Sequence, residues 1–221
     1  MIEKNALIKN LTFFKSLSDE ELEQISNISN ITTHPEKSIL YYENETHNKL
    51  FFLVSGLLKV YKIDKYNNEI FLYHIHNDSL ISELITLEGS DIHCFSNAEF
   101  LEDSIILEVD FLKFKNQFLS KNLLNSEFIN EILLKTYQLH CVVNRELVFD
   151  ATAKVAYMLR NDFKMFNSLK RQDVSFMLHI QPETLSRVLK KLKRSKIIDT
   201  DNSGIIILDN GMLTNIYKGE S

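Results

Sequence analysis

The segment from Leu169 to Ile198, LKRQDVSFMLHIQPETLSRVLKKLKRSKII, leaves few ways to fold. Its pattern predicts a short helix from Arg171 to Leu178 with Val174 and Met177 or Leu178 facing inward, then a tight turn across His179 and Ile180. A second helix opens at Pro182, because a proline is tolerated in the first helical turn, where its missing N–H would have no partner. Beyond it Leu185, Val188, Leu189 and Leu192 recur at spacings of three and four and form a buried stripe. Glu183, Thr184, Ser186, Arg187, Lys190 and Lys191 are left on the outer faces.

Those outward residues have the chemistry of DNA reading. Glu183 can accept from cytosine N4, Arg187 can fork onto guanine O6 and N7, and Ser186 can approach either kind of edge. Thr184, Lys190, Lys191, Lys193 and Arg194 are suited to the phosphate backbone. Between Leu185 and Ile198 lie six basic residues and no acidic one, a density that carries non-specific affinity and makes it salt-dependent. A merely solvated helix explains the lysines, but not an acid and an arginine four apart at the start of an otherwise basic helix.

Glu183-Thr184-Leu185-Ser186-Arg187, followed by Val188-Leu189-Lys190-Lys191-Leu192, closely resembles the recognition helix of the CRP/FNR family of bacterial transcription regulators. The resemblance implies base contacts for Glu183, Ser186 and Arg187, and the serine beside the arginine is similar to the subgroup that recognises TTGAT-type half-sites. Ile197 to Thr200 and Ile205 to Leu208, around the polar turn Asp201-Asn202-Ser203-Gly204, read as the two short strands of a wing.

The formal charge of −5 is unevenly divided. From Asp150 onward there are 12 Lys and Arg against 8 Asp and Glu, a balance of +4, which leaves 13 against 22, or −9, for residues 1 to 149. An acidic body of this kind helps turn the basic face toward DNA. No apolar run reaches the length of a membrane span and the first residues lack a signal-peptide profile, so a cytoplasmic protein without a membrane partner is expected. Cys94 and Cys141 show no metal-ligand spacing and read as buried thiols.

Residues 1 to 115 read as a β-rich domain after an opening helix, which Ser18-Asp19-Glu20-Glu21 caps and in which Leu22, Ile25 and Ile28 share a face. Strands are expected at Ile39 to Tyr42, Leu50 to Val54, Leu57 to Ile63, Ile70 to Ile75, Leu80 to Leu87 and Ile105 to Val109, a spacing that suits a sandwich or roll. The family resemblance implies a β-roll sensor domain like a cyclic-nucleotide-binding domain, with Ser55-Gly56 after a strand hairpin. The family's phosphate cassette contains G-E-L and R-S. This chain has Ser82-Glu83-Leu84, and Cys94-Phe95 at the arginine-serine positions, changes that remove a close backbone approach and a bidentate countercharge. Cyclic AMP is therefore not expected as the signal. An iron–sulfur cluster is not expected either, since no cysteine precedes Cys94. The resemblance leaves open the signals of other family branches, nitric oxide, in some cases through haem, or organic effectors, with His74, His76 and His93 as residues to inspect for iron ligation, although the same histidines suit ordinary surface or hydrogen-bonded roles. Cys94 is the candidate for oxidation sensing.

Residues 116 to 149 read as a connector dominated by one long helix, because Glu127 to Val148 holds no glycine or proline. Phe128, Ile132, Leu139, Val142 and Val143 are the expected face toward a second copy, and family dimers are made this way. Residues 150 to 221 complete an α+β chain as a winged helix-turn-helix DNA-binding domain. The expectation is a non-enzymatic homodimer whose two recognition helices read a palindrome with centres about one helical turn (~34 Å) apart. An activator would also need a surface for RNA polymerase, for which no segment stands out. The alternative is a ligand-binding or protein-interaction module whose C-terminal helices contact a protein.

Overall fold

The computed structural model describes residues 2–201 and 204–218 and divides into two compact units, Met1–Leu139 and His140–Ser221. The first opens with α1 (Ile2–Asn10) and α2 (Asp19–Asn27). Ser18 caps α2 reciprocally: its hydroxyl accepts from the Glu21 N–H, and the Glu21 carboxylate accepts from the Ser18 N–H at 2.8 Å. Leu22 and Ile25 are buried, with Ile28 packed beside them.

The strands that follow are β1 (Ser29–His34), β2 (Ile39–Tyr41), β3 (Thr46–His47), β4 (Lys49–Ser55), β5 (Leu58–Ile63), β6 (Glu69–Ile75), β7 (Ser79–Leu80), β8 (Ile92–His93), β9 (Asn97–Phe100) and β10 (Ser104–Asp110). They pair antiparallel in two four-stranded sheets, ordered β1-β10-β4-β7 and β2-β9-β5-β6, beside a β3-β8 ribbon. This is the expected β-roll. Strand β4 explains why its sequence reads as an uninterrupted apolar run. Phe51 and Leu53 enter the roll interior with Leu58, Val60, Phe100 and Ile106, while Leu50 and Phe52 enter a second core roofed by Ile8, Phe14, Ile25, Phe111 and Phe114.

Gly56 turns the chain from β4 of one sheet into β5 of the other at φ +118°, and a Cβ there would lie 2.0 Å from the Ser104 hydroxyl. Only glycine combines that backbone with that proximity.

The strand expected over Leu80 to Leu87 stops at Leu80. Ile81 is buried in the roll, but Ile85 and Leu87 are exposed. The Ser82 hydroxyl, itself buried, accepts from the Phe51 N–H at 2.9 Å, so a side chain takes over the ladder bond that a further strand residue would make. Strands β1 and β9 add to the expected set, because SNITTH and NAEF lack the apolar alternation that marks a half-buried strand in sequence.

Helix α3 (Phe111–Gln117) leads to the long helix α4 (Asn125–Val143), which continues as a π-helical turn over Asn144–Val148. Its bond from the Phe149 N–H to the Asn144 carbonyl spans five residues at 2.9 Å. Phe128 corrects the expected dimer face: it lies in the first unit's own core, its ring 6.2 Å from that of Phe114, and Ile132 is half-buried against the same core. The inward stripe of α4 therefore covers its own unit. Ile129, Leu133 and Tyr137, one helical row, are 57%, 60% and 66% exposed. Leu139 and Val143 are exposed as well, and Val142 is half-buried.

The second unit contains α5 (Ala151–Asn161), α6 (Phe163–Ser168), α7 (Arg171–Met177), α8 (Pro182–Arg194), β11 (Ile198–Asp201), β12 (Gly204–Ile207) and α9 (Asn210–Lys218). Asp150 caps α5, accepting from the Ala153 N–H at 2.7 Å. Val155, Ala156, Leu159, Phe166, Val174, Leu185, Val188, Leu192, Ile198, Ile205 and Leu213 form its core.

Candidate nucleic-acid interface

Two helices joined by a four-residue turn, Leu178 to Gln181, set the interface. Val174 and Leu178 anchor α7, His179 turns the chain at φ +51°, and the Ile180 N–H returns to the Ser175 carbonyl at 3.1 Å. Gln181 is extended, as a residue before proline prefers, and Pro182 occupies the first turn of α8. Leu185, Val188 and Leu192 are buried, and Leu189 sits at the edge of the same core.

Glu183, Ser186, Arg187, Lys190, Lys191 and Arg194 emerge together on one open, exposed face. Thr184 is half-buried at its side, and its hydroxyl accepts from the Arg187 guanidinium at 3.4 Å. That contact restrains the arginine while its other N–H groups stay outward.

Lys193 is placed differently from its neighbours. Its ammonium lies 2.7 Å from the Asp199 carboxylate and 2.7 Å from the Thr200 hydroxyl, so it spans from α8 to β11. This pairing fixes the root of the wing.

The wing is a β11–β12 ladder, with Ile198 opposite Ile207 and Thr200 opposite Ile205; Asn202 and Ser203 of the expected turn lie outside the described residues. Asn167 of α6 donates to the Ile205 carbonyl at 3.0 Å and accepts from the Ile205 N–H at 3.0 Å. A side-chain amide thus stands in for a third strand, a role invisible in its sequence context. Gly204, at φ +124°, gives that amide room.

The candidate sensing histidines come from the end of β6 and from β8. His76 is exposed, His74 on β6 packs across Phe71 at 4.6 Å, and His93, on β8 in another sheet, stands edge-on to Phe95 at 4.9 Å. The His74 and His76 rings lie 6.4 Å apart. Among the described residues no group of three or more His, Cys, Asp or Glu is arranged to hold a metal ion.

Cys94 is also corrected as an oxidation sensor. It is 2% exposed, and burial, with Glu83 and Glu45 nearby, pushes its thiol up to about 12. Little thiolate exists at neutral pH to react. In the folded chain Cys94 is expected to resist iodoacetamide under mildly alkaline conditions and to react once urea unfolds it. Rapid labelling of the folded protein at Cys94, read by peptide mass spectrometry, would reinstate it as a sensor.

What sequence reading missed is the polar arrangement around Glu83. Its carboxylate accepts from the Tyr73 hydroxyl at 3.2 Å, the Phe95 N–H at 3.0 Å and the Ser96 hydroxyl at 2.9 Å. Nearby, Glu131 accepts from the Leu80 N–H and Lys135 donates to the Ile81 carbonyl, each at 3.2 Å. Two residues four apart on α4 thereby grip consecutive residues of the roll.

Two family models match this architecture where the geometry would have them: a cyclic nucleotide-binding domain over residues 31–121 and a Crp-like helix-turn-helix domain over residues 154–216. The chain belongs to the CRP/FNR family of bacterial transcription regulators. It is 23% identical over 209 residues to the cAMP-activated global transcriptional regulator CRP of Salmonella typhimurium, covering 87% of this chain and 96% of that one. Its fold is similar to that of a solved CooA mutant from Carboxydothermus hydrogenoformans, at a TM-score of 0.69 and 18% identity over 96% of each chain. It is also similar to the c-di-GMP responsive global regulator CLP of Xanthomonas campestris, at 0.64 and 13% identity, over 86% of this chain and 99% of the other. This CRP/FNR member is thus a DNA-binding transcription regulator that acts on double-stranded DNA as a homodimer, which sets aside the protein-interaction alternative. No helix among its described residues is long and apolar enough to cross a membrane.

Proposed function

We propose that this regulator reads a palindrome of TTGAT-type half-sites, with Glu183, Ser186 and Arg187 on base edges and Thr184, Lys190, Lys191 and Arg194 on phosphates, while Lys193, expected there from the sequence, is engaged by Asp199. The observation that carries the reading is the single exposed face of α8, on which an acid, a hydroxyl and a guanidinium lie within the first two turns and basic residues follow. Residues 150 to 221 act as the reading domain and 116 to 149 as the connector. The exposed row Ile129, Leu133 and Tyr137, with Leu139, Val142 and Val143 beyond it, supplies the dimer face.

The signal is other than cyclic AMP. In support, the Ser82 hydroxyl, where the family's cassette has glycine, accepts from the Phe51 N–H, and the Glu83 carboxylate accepts from Tyr73, Phe95 and Ser96, so both side chains are held in the roll's own hydrogen bonds. Fluorescence-anisotropy titrations of a TTGAT palindrome and a shuffled duplex of equal length, at several salt concentrations, test the reading. Discrimination between the duplexes without any added nucleotide supports it. Equal binding of both, or discrimination that appears only with cyclic AMP, refutes it.

A further inference from the structure

Within the second unit, the Glu146 carboxylate joins three parts of the chain that the sequence keeps apart. One oxygen accepts from Arg145 Nε at 2.7 Å; the other lies 2.8 Å from His179 Nδ1 and 3.4 Å from Lys154 Nζ. Arg145 belongs to the π turn that ends the long helix, Lys154 to α5, and His179 to the turn before the recognition helix. The arrangement is largely shielded, the Arg145 and Lys154 side chains being only 11% and 10% exposed. Burial would by itself push the Glu146 carboxyl up, but the hydrogen bonds and charges of His179 and Arg145 outweigh it and hold the group down at about 2. Glu146 is therefore an anion at any physiological pH.

Two features make this more than an ordinary ion pair. His179 is the residue with φ +51° that sets the angle between α7 and α8, and its ring Nε2 is buried with no hydrogen-bond partner, so Glu146 is what orients the ring. The carboxylate is presented by a π turn, the register of which includes one residue more per closed ring than an α-helix. Rewinding that turn to α would swing Glu146 about the helix axis by up to one residue's rotation, ~100°. In the structure the contact with His179 is made from the π register.

We infer that Glu146 is a positioning residue for DNA reading: through His179 it fixes how the recognition helix leaves its turn, and the π turn decides whether that hold is made. The inference rests on the base-reading role proposed above for Glu183, Ser186 and Arg187. When the hold is lost, those side chains keep their charge but no longer share one fixed pose, so sequence discrimination falls while phosphate attraction remains.

The test uses the full-length chain with Glu146→Gln and, separately, His179→Asn. Asparagine tolerates a positive φ, so the second variant removes the ring without straining the turn or leaving Arg145 and Lys154 uncompensated. The ratio of affinities for the TTGAT palindrome and a shuffled duplex is expected to fall about tenfold or more in each variant, the scale of a charge-assisted hydrogen bond, with shuffled-duplex affinity nearly unchanged. Amide exchange over 178–187 is expected to quicken in both while exchange over 204–207 stays as in the parent. The double variant should be no worse than the more affected single one. Wild-type exchange over 178–187 in both variants overturns the inference, as does an unchanged affinity ratio. If the parent chain itself fails to discriminate the duplexes, the base-reading proposal has failed and the exchange measurement decides this one. If Glu146→Gln does not fold, the same two measurements on His179→Asn decide between support and refutation.

Discussion

Replacing Arg187 with alanine is expected to weaken binding to a TTGAT palindrome about a hundredfold or more while leaving the fold intact. A bidentate contact to guanine is worth about 1–3 kcal/mol, and a symmetric duplex loses it once in each half-site. Arg187 is exposed and its hydrogen bond to Thr184 is long, so truncation leaves the core of the second unit untouched. The comparison that matters is with a shuffled duplex, which should lose only what one phosphate-range charge contributes. Anisotropy titrations of both duplexes, with circular dichroism melts as the control for folding, decide it. Wild-type affinity of Arg187→Ala for the palindrome would remove the arginine from the base-reading set.

The second large effect is expected from Leu133→Glu. Leu133 is 60% exposed in the middle of the row that also holds Ile129 and Tyr137, and a contiguous exposed apolar row of this kind marks an interaction surface. In a two-fold interface the substitution occurs twice, and two buried anchors lost together cost about 4 kcal/mol or more. Light scattering should then give the mass of one chain at micromolar concentration. Palindrome binding should fall with it, because a monomer reads a single half-site. Dimers that persist with Leu133→Glu would move the interface away from this face of α4.

The two predictions differ in how legible their residues are in the sequence. The recognition helix can be read directly, since Pro182, the spacing of Leu185, Val188 and Leu192, and the chemistry of Glu183 and Arg187 are all local to thirteen residues. The face of α4 cannot. A helix apolar on several sides has more than one stripe to bury, and only the packed structure shows that Phe128 and Ile132 cover their own unit while Leu133 does not. Lys193 poses the same difficulty: its basic neighbours suggest phosphate, but Asp199, six residues on, takes it.

Other features escape sequence reading because their partners are distant along the chain. Nothing around Asn167 announces that it will pair with Ile205, and nothing around Glu146 points to His179, thirty-three residues later. The extra residue of the π turn leaves no periodic mark in so short a stretch. Conversely, Ser82 stands out in the sequence as unlike the family's glycine, although its bond to the Phe51 N–H becomes visible only in the fold.

Strand β10 is the last of the roll to be made, yet it lies between β1 and β4 in its sheet. On the ribosome, β4 is complete at Ser55, but its central partner is not finished until Asp110. At roughly 5–20 residues per second that is a wait on the order of several seconds, during which the apolar run of β4 has no neighbour on that side. For this regulator that exposed interval falls during synthesis, before any signal or DNA is met, and it is the interval in which a chaperone that shields residues 49–55 would act.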